Sequence, residues 1–396
     1  MLKRNMIYLL PFLLAAVCLI PAGCTDEPRF EEIIEGVKQE YAPDARENVF
    51  DVKAERTGRM RVRLSGEVDN ARLRELLMDS LYAAGFEVTG SPDVLPVEVP
   101  WPWALVNLSV ANIRAAPSHR SELVTQALLG NPLRVLRELG SWVYVQTPDR
   151  YLGWANKYAL SGFDDGAFDQ WKSTPRLIYT ETFGFIYDTD NESIISDITA
   201  GSILTKDQIA GNYTGVIMPD GRTGKVAVDA ASCFEEWSTD ALPLGDRVVA
   251  TALSMRGFPY LWGGTSPKGI DCSGYTRIVW FMNGMVIARD ASLQARHGLP
   301  VETGNPEGLE AGDLLFFRTN PEGPPDSPVT HVAIYKGGLE YIHASGMVSV
   351  NSLDSAMDNY SDYRASTLQS ARRTDPGAAG PGMVPVKEHP WYWNNN

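Results

Sequence analysis

The chain has 396 residues, a formal net charge of −14 and 44% hydrophobic residues. This length exceeds what one ordinary hydrophobic core supports, so we expect about two to four domains. An acidic body of this kind is repelled by the phosphates of nucleic acid and by anionic membrane surfaces. The charge therefore excludes nucleic-acid binding as the function.

Residues 1–23 have the pattern of an export signal. Lys3 and Arg4 precede an apolar run over residues 6–20, which is too short for a good membrane span. Small residues just before Cys24 resemble a bacterial lipoprotein cleavage site, which predicts that Cys24 becomes lipidated. We therefore expect an exported protein with a lipid anchor, on the periplasmic face or at the cell surface of the bacterial envelope. A plain signal peptide with an incidental Cys24 is the alternative.

Residues 24–95 form the first predicted domain, a small α+β unit. Apolar residues recur at helical spacing over 30–41, and residues 50–54 and 60–64 alternate in the manner of strands. A second helix is predicted over Leu73–Ala84, with Asn70 as its cap. No residue in this unit indicates chemistry, so we interpret it as a spacer or docking domain.

Residues 96–243 contain many short strand signals separated by turns. Over residues 96–175, the segments Gly140–Val145 and Gly153-Trp154 resemble the bacterial SH3-like barrel. Residues 176–243 predict a second, more divergent SH3-like barrel with a hairpin signal.

Residues 244–374 form the last predicted domain, in which helices alternate with strands. The tail over residues 375–396 is rich in Gly, Pro and Asn, which predicts loose packing. His389 in this tail is predicted to be a surface residue. Helices are predicted over 247–256, 271–282 and 290–294, and strands over 312–317, 332–335 and 340–342.

Cys272 and two histidines carry the chemistry of the last domain. Cys272 follows a Gly-rich turn and begins a predicted helix, while His331 and His343 lie in strand-like segments. Unpaired N–H groups in the first turn of a helix are expected to lower the pKa of the thiol and favour a thiolate. His331 is the candidate general base, and His343 is the candidate residue that orients it.

The turn between the histidines decides whether this arrangement is feasible. A three-residue loop over Lys336–Gly338 would pair His331 with His343 on one face of the sheet. A two-residue turn at Gly337-Gly338 would direct His343 to the opposite face. Catalysis therefore requires the first register, or a bulge that restores it.

Other roles for these residues remain open. One cysteine and two histidines can bind zinc, but no fourth ligand lies at a short metal-site spacing, so neither metal nor cofactor is expected. A Cys233–Cys272 disulfide is conceivable, although it would consume the nucleophile. Cys233 is more simply explained as a small apolar side chain.

The sequence around Cys272 and the two histidines resembles the NlpC-type papain-like cysteine peptidases of bacterial cell-wall metabolism. The resemblance covers roughly the last third of the chain and implies an α+β fold, with a papain-like catalytic domain after two SH3-like barrels and the small N-terminal unit. It aligns Cys272 as nucleophile, His331 as base, His343 as third residue and Tyr260 as a residue whose hydroxyl assists the reaction.

The order of the domains resembles the γ-D-glutamyl-L-diamino acid endopeptidases of this family. This implies cleavage of free peptidoglycan stem peptides that have an unblocked N-terminal L-Ala, and it implies peptidoglycan-derived peptides as partners. Asp271, Ser273 and Ser292 match residues that hold the dipeptide, and Glu122 and Tyr158 are candidates for the barrel's part of the amine pocket. A simple helix N-cap is the alternative for Asp271, and a solvated surface acid is the alternative for Glu122.

Two other functions remain as alternatives. One is an endopeptidase that acts on intact, cross-linked peptidoglycan, which an open aromatic groove would favour. The other is a non-catalytic wall-binding lipoprotein, which the presence of the cysteine and both histidines disfavours.

Overall fold

The structure, a computed structural model, describes residues 29–394 except 191, 305, 325, 375–379 and 381. The predicted export signal and Cys24 lie outside the described residues. In the part of the chain that is described, no helix has the length and apolar character needed to cross a membrane.

The N-terminal unit packs two helices against a four-stranded sheet. The helix predicted after Asn70 is present, because the Asn70 side chain accepts a hydrogen bond from the Leu73 N–H at 2.9 Å. Val62, Leu77 and Leu81 are fully buried in its core. The elements are α1 (Phe30–Tyr41), β1 (Phe50–Gly58), β2 (Arg61–Val68), α2 (Ala71–Ala83), β3 (Glu87–Thr89) and β4 (Asp93–Val94).

The next unit is a seven-stranded antiparallel sheet in the order β11-β5-β8-β9-β10-β6-β7. Ile113, Val143 and Val145 are fully buried inside it, and Trp142 and Trp154 are also buried. The strands are β5 (Trp103–Val106), β6 (Val110–Arg114), β7 (Leu123–Leu128), β8 (Pro132–Leu139), β9 (Trp142–Gln146), β10 (Leu152–Asn156) and β11 (Leu160–Phe163), followed by α3 (Asp165–Ser173).

A second seven-stranded antiparallel sheet follows, in the order β14-β13-β17-β16-β15-β12-β18. Ile186, Ile198 and Val216 fill its interior, whereas Ile178 packs into the main core. The strands are β12 (Arg176–Tyr179), β13 (Phe183–Tyr187), β14 (Ile194–Thr199), β15 (Ile203–Ala210), β16 (Tyr213–Ile217), β17 (Thr223–Ala227) and β18 (Ala231–Cys233), followed by α4 (Phe234–Asp240).

The last unit packs helices against a six-stranded sheet in the order β22-β27-β23-β24-β25-β26. Tyr275, Val279 and Trp280 of the central helix α6 are fully buried in the main core. The elements are α5 (Gly245–Ser254), β19 (Thr265–Ser266), β20 (Gly269–Ile270), α6 (Cys272–Met282), β21 (Met285–Ile287), α7 (Ala291–Gln294), β22 (Leu299–Val301), β23 (Leu314–Arg318), β24 (Val329–Gly337), β25 (Glu340–Ser345), β26 (Met347–Ser352), α8 (Asp362–Thr367), β27 (Leu368–Arg373) and β28 (Met383–Pro385).

Apolar contacts and hydrogen bonds join the units to one another. Val49 and Leu95 of the N-terminal unit form one buried cluster with Leu136 and Leu152 of the first seven-stranded sheet. The two seven-stranded sheets meet at Gly130, whose φ is +72°. A Cβ atom at this position would lie 1.6 Å from the Ile203 carbonyl oxygen of the second sheet, so only glycine fits there. The unit of the first seven-stranded sheet is therefore packed against the units before and after it.

The end of the chain packs tightly, so the predicted loose packing is wrong for residues 382–394. Strand β28 pairs with β21, and Tyr392 is only 1% exposed. His389, predicted at the surface, is 5% exposed and bonds to the Pro148 carbonyl at 3.0 Å. The aromatic residues Trp391, Tyr392 and Trp393 supply apolar area that the Gly- and Pro-rich composition concealed.

Replacing Tyr392 tests this packing. We expect Tyr392→Ala to lower the free energy of unfolding by about 3 kcal/mol, because it leaves a cavity in the main core. Urea denaturation measures the change, and Glu388→Ala at an exposed position is the control. Equal stabilities of the two variants would contradict the tight packing of the tail.

Candidate active site

Cys272 is the first residue of α6 and is 7% exposed. Asp271 caps this helix, since its Oδ1 accepts a hydrogen bond from the Gly274 N–H at 2.6 Å. The backbone N–H groups of Ser273 and Val332 are close enough to the Cys272 sulfur to favour its thiolate form. Because Val332 follows His331 on β24, the sulfur lies against the strand that carries the candidate base.

Asp271 also forms a buried two-pronged ion pair with Arg289, which the sequence analysis missed. Its oxygens lie 3.0 Å and 2.6 Å from the two terminal nitrogens of Arg289, and Oδ2 also accepts from the Gly263 N–H at 2.8 Å. Both side chains are almost fully buried. The N-cap alternative for Asp271 is therefore present in the structure, although Asp271 also lines the cavity described below.

Burial, together with the nearby Asp271 carboxylate, raises the pKa of the Cys272 thiol to about 11. The N–H groups of Val332 and Ser273 oppose this rise without overcoming it. The expected lowering of the pKa at the helix terminus is therefore wrong, because desolvation outweighs the favourable dipole. The resting thiol is protonated, and the proton has to leave during attack.

The hairpin that carries the two histidines adopts neither predicted register. Ile334 pairs with Ile342 and Tyr335 with Tyr341, and the register then shifts at a bulge before Gly337 pairs with Glu340. Continuing this register places His343 opposite the residue two positions after His331. The bulge thus restores a common face, as catalysis required, but the two histidines are diagonal neighbours rather than direct partners.

A chain of hydrogen bonds sets which nitrogens of the two histidines are protonated. The side-chain N–H of Asn351 donates to the Asn359 carbonyl at 3.0 Å, so the Oδ1 of Asn351 faces His343 Nε2 at 3.0 Å. His343 Nε2 therefore carries a proton, and His343 Nδ1 accepts from His331 Nε2 at 2.8 Å. This leaves His331 Nδ1 as the unprotonated base. The alternation of Ser349 and Asn351 along β26 was the signal that could have identified Asn351.

Both histidines are held in the neutral form. Burial lowers the pKa of His331 well below its ordinary value, and the positive charge of Arg364 adds to this effect. Burial also lowers the pKa of His343 to about 4, although the hydrogen bond to Asn351 opposes the shift. A neutral imidazole is the state that accepts the thiol proton, so the pair suits general-base catalysis.

A cavity of about 290 Å³ opens beside Cys272. Six of the residues predicted from the sequence line it, and its other lining residues were not foreseen. The predicted group is Glu122, Tyr260, Asp271, Cys272, Ser273 and Ser292, and the additional residues are Arg46, Val124, Tyr151, Trp262, Gly263, Asp290, Ala291, Val329 and Thr330. Burial, followed by the nearby Cys272, raises the pKa of Tyr260 to about 12, so its hydroxyl remains a proton donor.

The structure does not place Tyr158 at this cavity. Tyr158 lies in a short 3-10 turn after β10 and is 86% exposed. Tyr151, just before β10, lines the cavity instead, and its hydroxyl donates to Asp290 Oδ2 at 3.0 Å. Nearby tyrosines in one barrel cannot be distinguished by composition, because the turn geometry decides which one points inward.

The first seven-stranded sheet closes part of the cavity. Glu122 accepts a hydrogen bond from Trp262 Nε1 at 2.7 Å, and Gln126 Oε1 accepts from the Thr265 N–H at 2.9 Å. Gly263 has a φ of +77°, and a side chain there would lie 2.2 Å from the Leu123 oxygen. The close approach of this sheet therefore requires a glycine at position 263.

The zinc alternative requires several ligating side chains to lie close together. Among the residues that the structure describes, no group of three His, Cys, Asp or Glu side chains is arranged to hold a metal ion. Cys233 and Cys272 are both free thiols, so the disulfide alternative is wrong. Cys233 donates to Glu235 at 3.2 Å and is partly exposed, which differs from the expected apolar packing.

Two family models match the chain. Residues 257–367 match the NlpC/P60 family, and residues 113–160 match the bacterial dipeptidyl-peptidase SH3 domain. The "Dipeptidyl-peptidase 6" of Lysinibacillus sphaericus is 32% identical over 67% of this chain and 97% of its own length. The chain therefore belongs to the NlpC/P60 family and is a cysteine peptidase with a papain-like fold and an SH3 domain.

Further relatives agree with this assignment. A protein from Bacillus cereus called "Gamma-D-glutamyl-L-lysine dipeptidyl-peptidase" is 29% identical over 64% of this chain and 79% of its own length. The crystal structure of an NlpC/P60 family protein from Bacillus cereus superposes with a TM-score of 0.60. It is 25% identical and covers 68% of this chain and 99% of its own.

The neutral state of His343 predicts how stability depends on pH. Between about pH 6.5 and 4 the unfolded chain binds a proton at this position that the folded chain does not. As the pH is lowered through this range, the free energy of unfolding therefore decreases, and His343 contributes up to about 3 kcal/mol of this decrease. Urea denaturation at several pH values should show a shallower loss for His343→Gln than for wild type. The exposed His119→Gln is the control, and an unchanged slope in His343→Gln would contradict the assignment.

Proposed function

We propose that this enzyme hydrolyses the γ-D-glutamyl-L-diamino acid bond of free peptidoglycan stem peptides with an unblocked N-terminal L-Ala. The observation that carries this proposal is the cavity beside Cys272, which the first seven-stranded sheet closes at Glu122 and Trp262. A closed end leaves room for a short terminal dipeptide. The names of the relatives, dipeptidyl-peptidases, support the same substrate class.

Cys272 and the two histidines can hydrolyse this amide bond through a thioester intermediate. The Cys272 sulfur attacks the γ-glutamyl carbonyl while its proton passes to His331 Nδ1, and the Cys272 N–H with the Tyr260 hydroxyl stabilises the oxyanion. The carbon–nitrogen bond then breaks, and His331 returns the proton to the leaving amine. Water, deprotonated by His331, cleaves the thioester and restores the thiol. His343 keeps His331 in the required tautomer.

Recognition of the substrate ammonium group is assigned to the acidic side of the cavity. Glu122 uses one oxygen to accept from Trp262, and its other oxygen accepts from none of the described residues. Asp271 and Ser273 line the same cavity, and Ser292 adds a hydroxyl. A carboxylate facing a primary ammonium forms a charge-assisted hydrogen bond, which an acetylated amine cannot form.

The alternative of an endopeptidase on cross-linked peptidoglycan requires an open groove. The contacts of Trp262 and Thr265 with the first seven-stranded sheet disfavour it, because a continuous polymer would clash with that sheet. A purely wall-binding role is disfavoured by the presence of Cys272 with a hydrogen-bonded pair of neutral histidines, an arrangement that suits general-base catalysis.

We also propose a second barrel and a lipid anchor. The second seven-stranded sheet is assigned as a second SH3-like barrel, because its strand order repeats that of the first. Export and a lipid anchor at Cys24 are assigned from the small residues before that cysteine and from the apolar run.

The substrate proposal is tested by mass spectrometry of three digests. We expect L-Ala-γ-D-Glu to be released from L-Ala-γ-D-Glu-meso-diaminopimelate, but not from its N-acetylated form or from intact sacculi. Cys272→Ala, the control, should abolish turnover because it removes the nucleophile. Cleavage of the acetylated peptide or of sacculi would assign the protein to the wall-endopeptidase alternative. An inactive wild type on all three substrates would support a binding role.

The anchor is tested by expressing the full chain in a bacterium with a lipoprotein pathway. We expect the wild type to incorporate labelled fatty acid and to sediment with membranes, because an acylated cysteine partitions into lipid. Cys24→Ala should lose both properties, while Cys18→Ala should retain them. Retention of the label in Cys24→Ala would refute the lipidation site.

A further inference from the structure

Arg46 extends from the N-terminal unit to the wall of the active-site cavity. Its Nη1 donates to Asp290 Oδ2 at 2.8 Å and to Ser292 Oγ at 3.0 Å. Asp290 and Ser292 also line the cavity, at the beginning of the catalytic unit's helix α7. Arg46 lies outside both matched family models, which cover residues 113–160 and 257–367, whereas Asp290 and Ser292 lie inside the second.

Asp44 fixes the position of the Arg46 guanidinium. The Asp44 carboxylate accepts from Arg46 Nε and Nη2 at 2.8 Å and 2.7 Å, a two-pronged arrangement that leaves little rotational freedom. The Asp44 side chain is mostly buried, and Arg296 pairs with it at 3.1 Å. The Arg46 carbonyl accepts from the Leu152 N–H at 2.8 Å, so the backbone is also held. Arg46 is therefore oriented before any substrate arrives.

Asp290 connects the fixed Arg46 guanidinium to the cavity wall. Its Oδ2 accepts from both Arg46 and the Tyr151 hydroxyl, and its Oδ1 accepts from none of the described residues. Oδ1 and the hydroxyls of Tyr151 and Ser292 are therefore oriented groups available at the cavity wall. Loss of Arg46 would leave Asp290 without a charged donor and free its rotation, together with that of Ser292.

We propose that Arg46 is a positioning residue for substrate binding, which makes the N-terminal unit a part of the active site rather than a spacer. It holds Asp290 and Ser292 in the geometry that receives the terminal dipeptide. This inference rests on the proposed function, because it assumes that the cavity binds L-Ala-γ-D-Glu. Cys272 and His331 make no contact with Arg46, so the effect concerns binding and not the chemical step.

Arg137 offers a matched control for simple docking. It joins the first seven-stranded sheet to Glu67 of the N-terminal unit at 2.6 Å, and it does not line the cavity. Arg137→Met thus removes an arginine that docks the N-terminal unit on its neighbour, without changing the cavity wall. Arg46→Lys retains the positive charge but loses the forked geometry.

The first measurement is calorimetric binding of L-Ala-γ-D-Glu to the full-length Cys272→Ala protein. We expect Arg46→Met in this background to weaken binding about tenfold or more, since hydrogen bonds to charged groups are among the strong ones. Arg137→Met should change binding less than about twofold, and Arg46→Lys should restore part of the affinity. Thermal unfolding of each variant reports whether it is folded.

The second measurement uses the active enzyme with the free-amine tripeptide. Arg46→Met should raise KM by a similar factor and leave kcat within about threefold, which a merely structural defect would not do. If Cys272→Ala binds no dipeptide, the proposed function and this inference both fail. If it binds and Arg46→Met binds equally well, the inference alone fails. An equal loss in Arg137→Met would show that docking of the unit, and not Arg46, is responsible.

Discussion

The buried pair of Asp271 and Arg289 is the interaction on which the rest of the site depends. Burying two charges is costly unless their geometry is good and their remaining donors and acceptors are satisfied. Here Asp271 also accepts from the N–H groups of Gly263 and Gly274, and Arg289 donates to Ser273 and to Thr125 of the first seven-stranded sheet. One ion pair thus joins the helix of the nucleophile, the preceding loop and the neighbouring unit.

The protonation states of the site follow from its burial. The thiol of Cys272 has a raised pKa and the imidazole of His331 has a lowered one, so both rest in the neutral form. This avoids the cost of holding an ion pair in a dry environment before substrate is present. The relay through His343 and Asn351 then has a simple physical purpose, because it keeps the basic nitrogen of His331 unprotonated and correctly oriented.

Two neighbouring units complete the wall of the cavity beside Cys272. The catalytic unit supplies the cysteine and the histidines, but Arg46 of the cavity wall belongs to the N-terminal unit, and Glu122 and Tyr151 belong to the unit of the first seven-stranded sheet. The buried cluster around Leu95 and Leu136 holds these two units together. The cysteine with its histidines and part of the cavity wall therefore come from different units of the chain.

The sequence by itself determined the helix that begins at Cys272, because a capping aspartate and the apolar spacing after it are local signals. It also indicated Cys272, His331 and His343 as candidate catalytic residues, since their setting after a Gly-rich turn and in strands is specific. It could not identify Arg289 or Arg46, because Arg46 and Asp290 lie 244 positions apart and meet only in the folded chain. Likewise, the bulge that aligns the histidines, the choice of Tyr151 over Tyr158 and the packing of Tyr392 were decided by tertiary structure. Side-chain direction and burial depend on which distant surfaces come into contact, and local sequence carries no record of that.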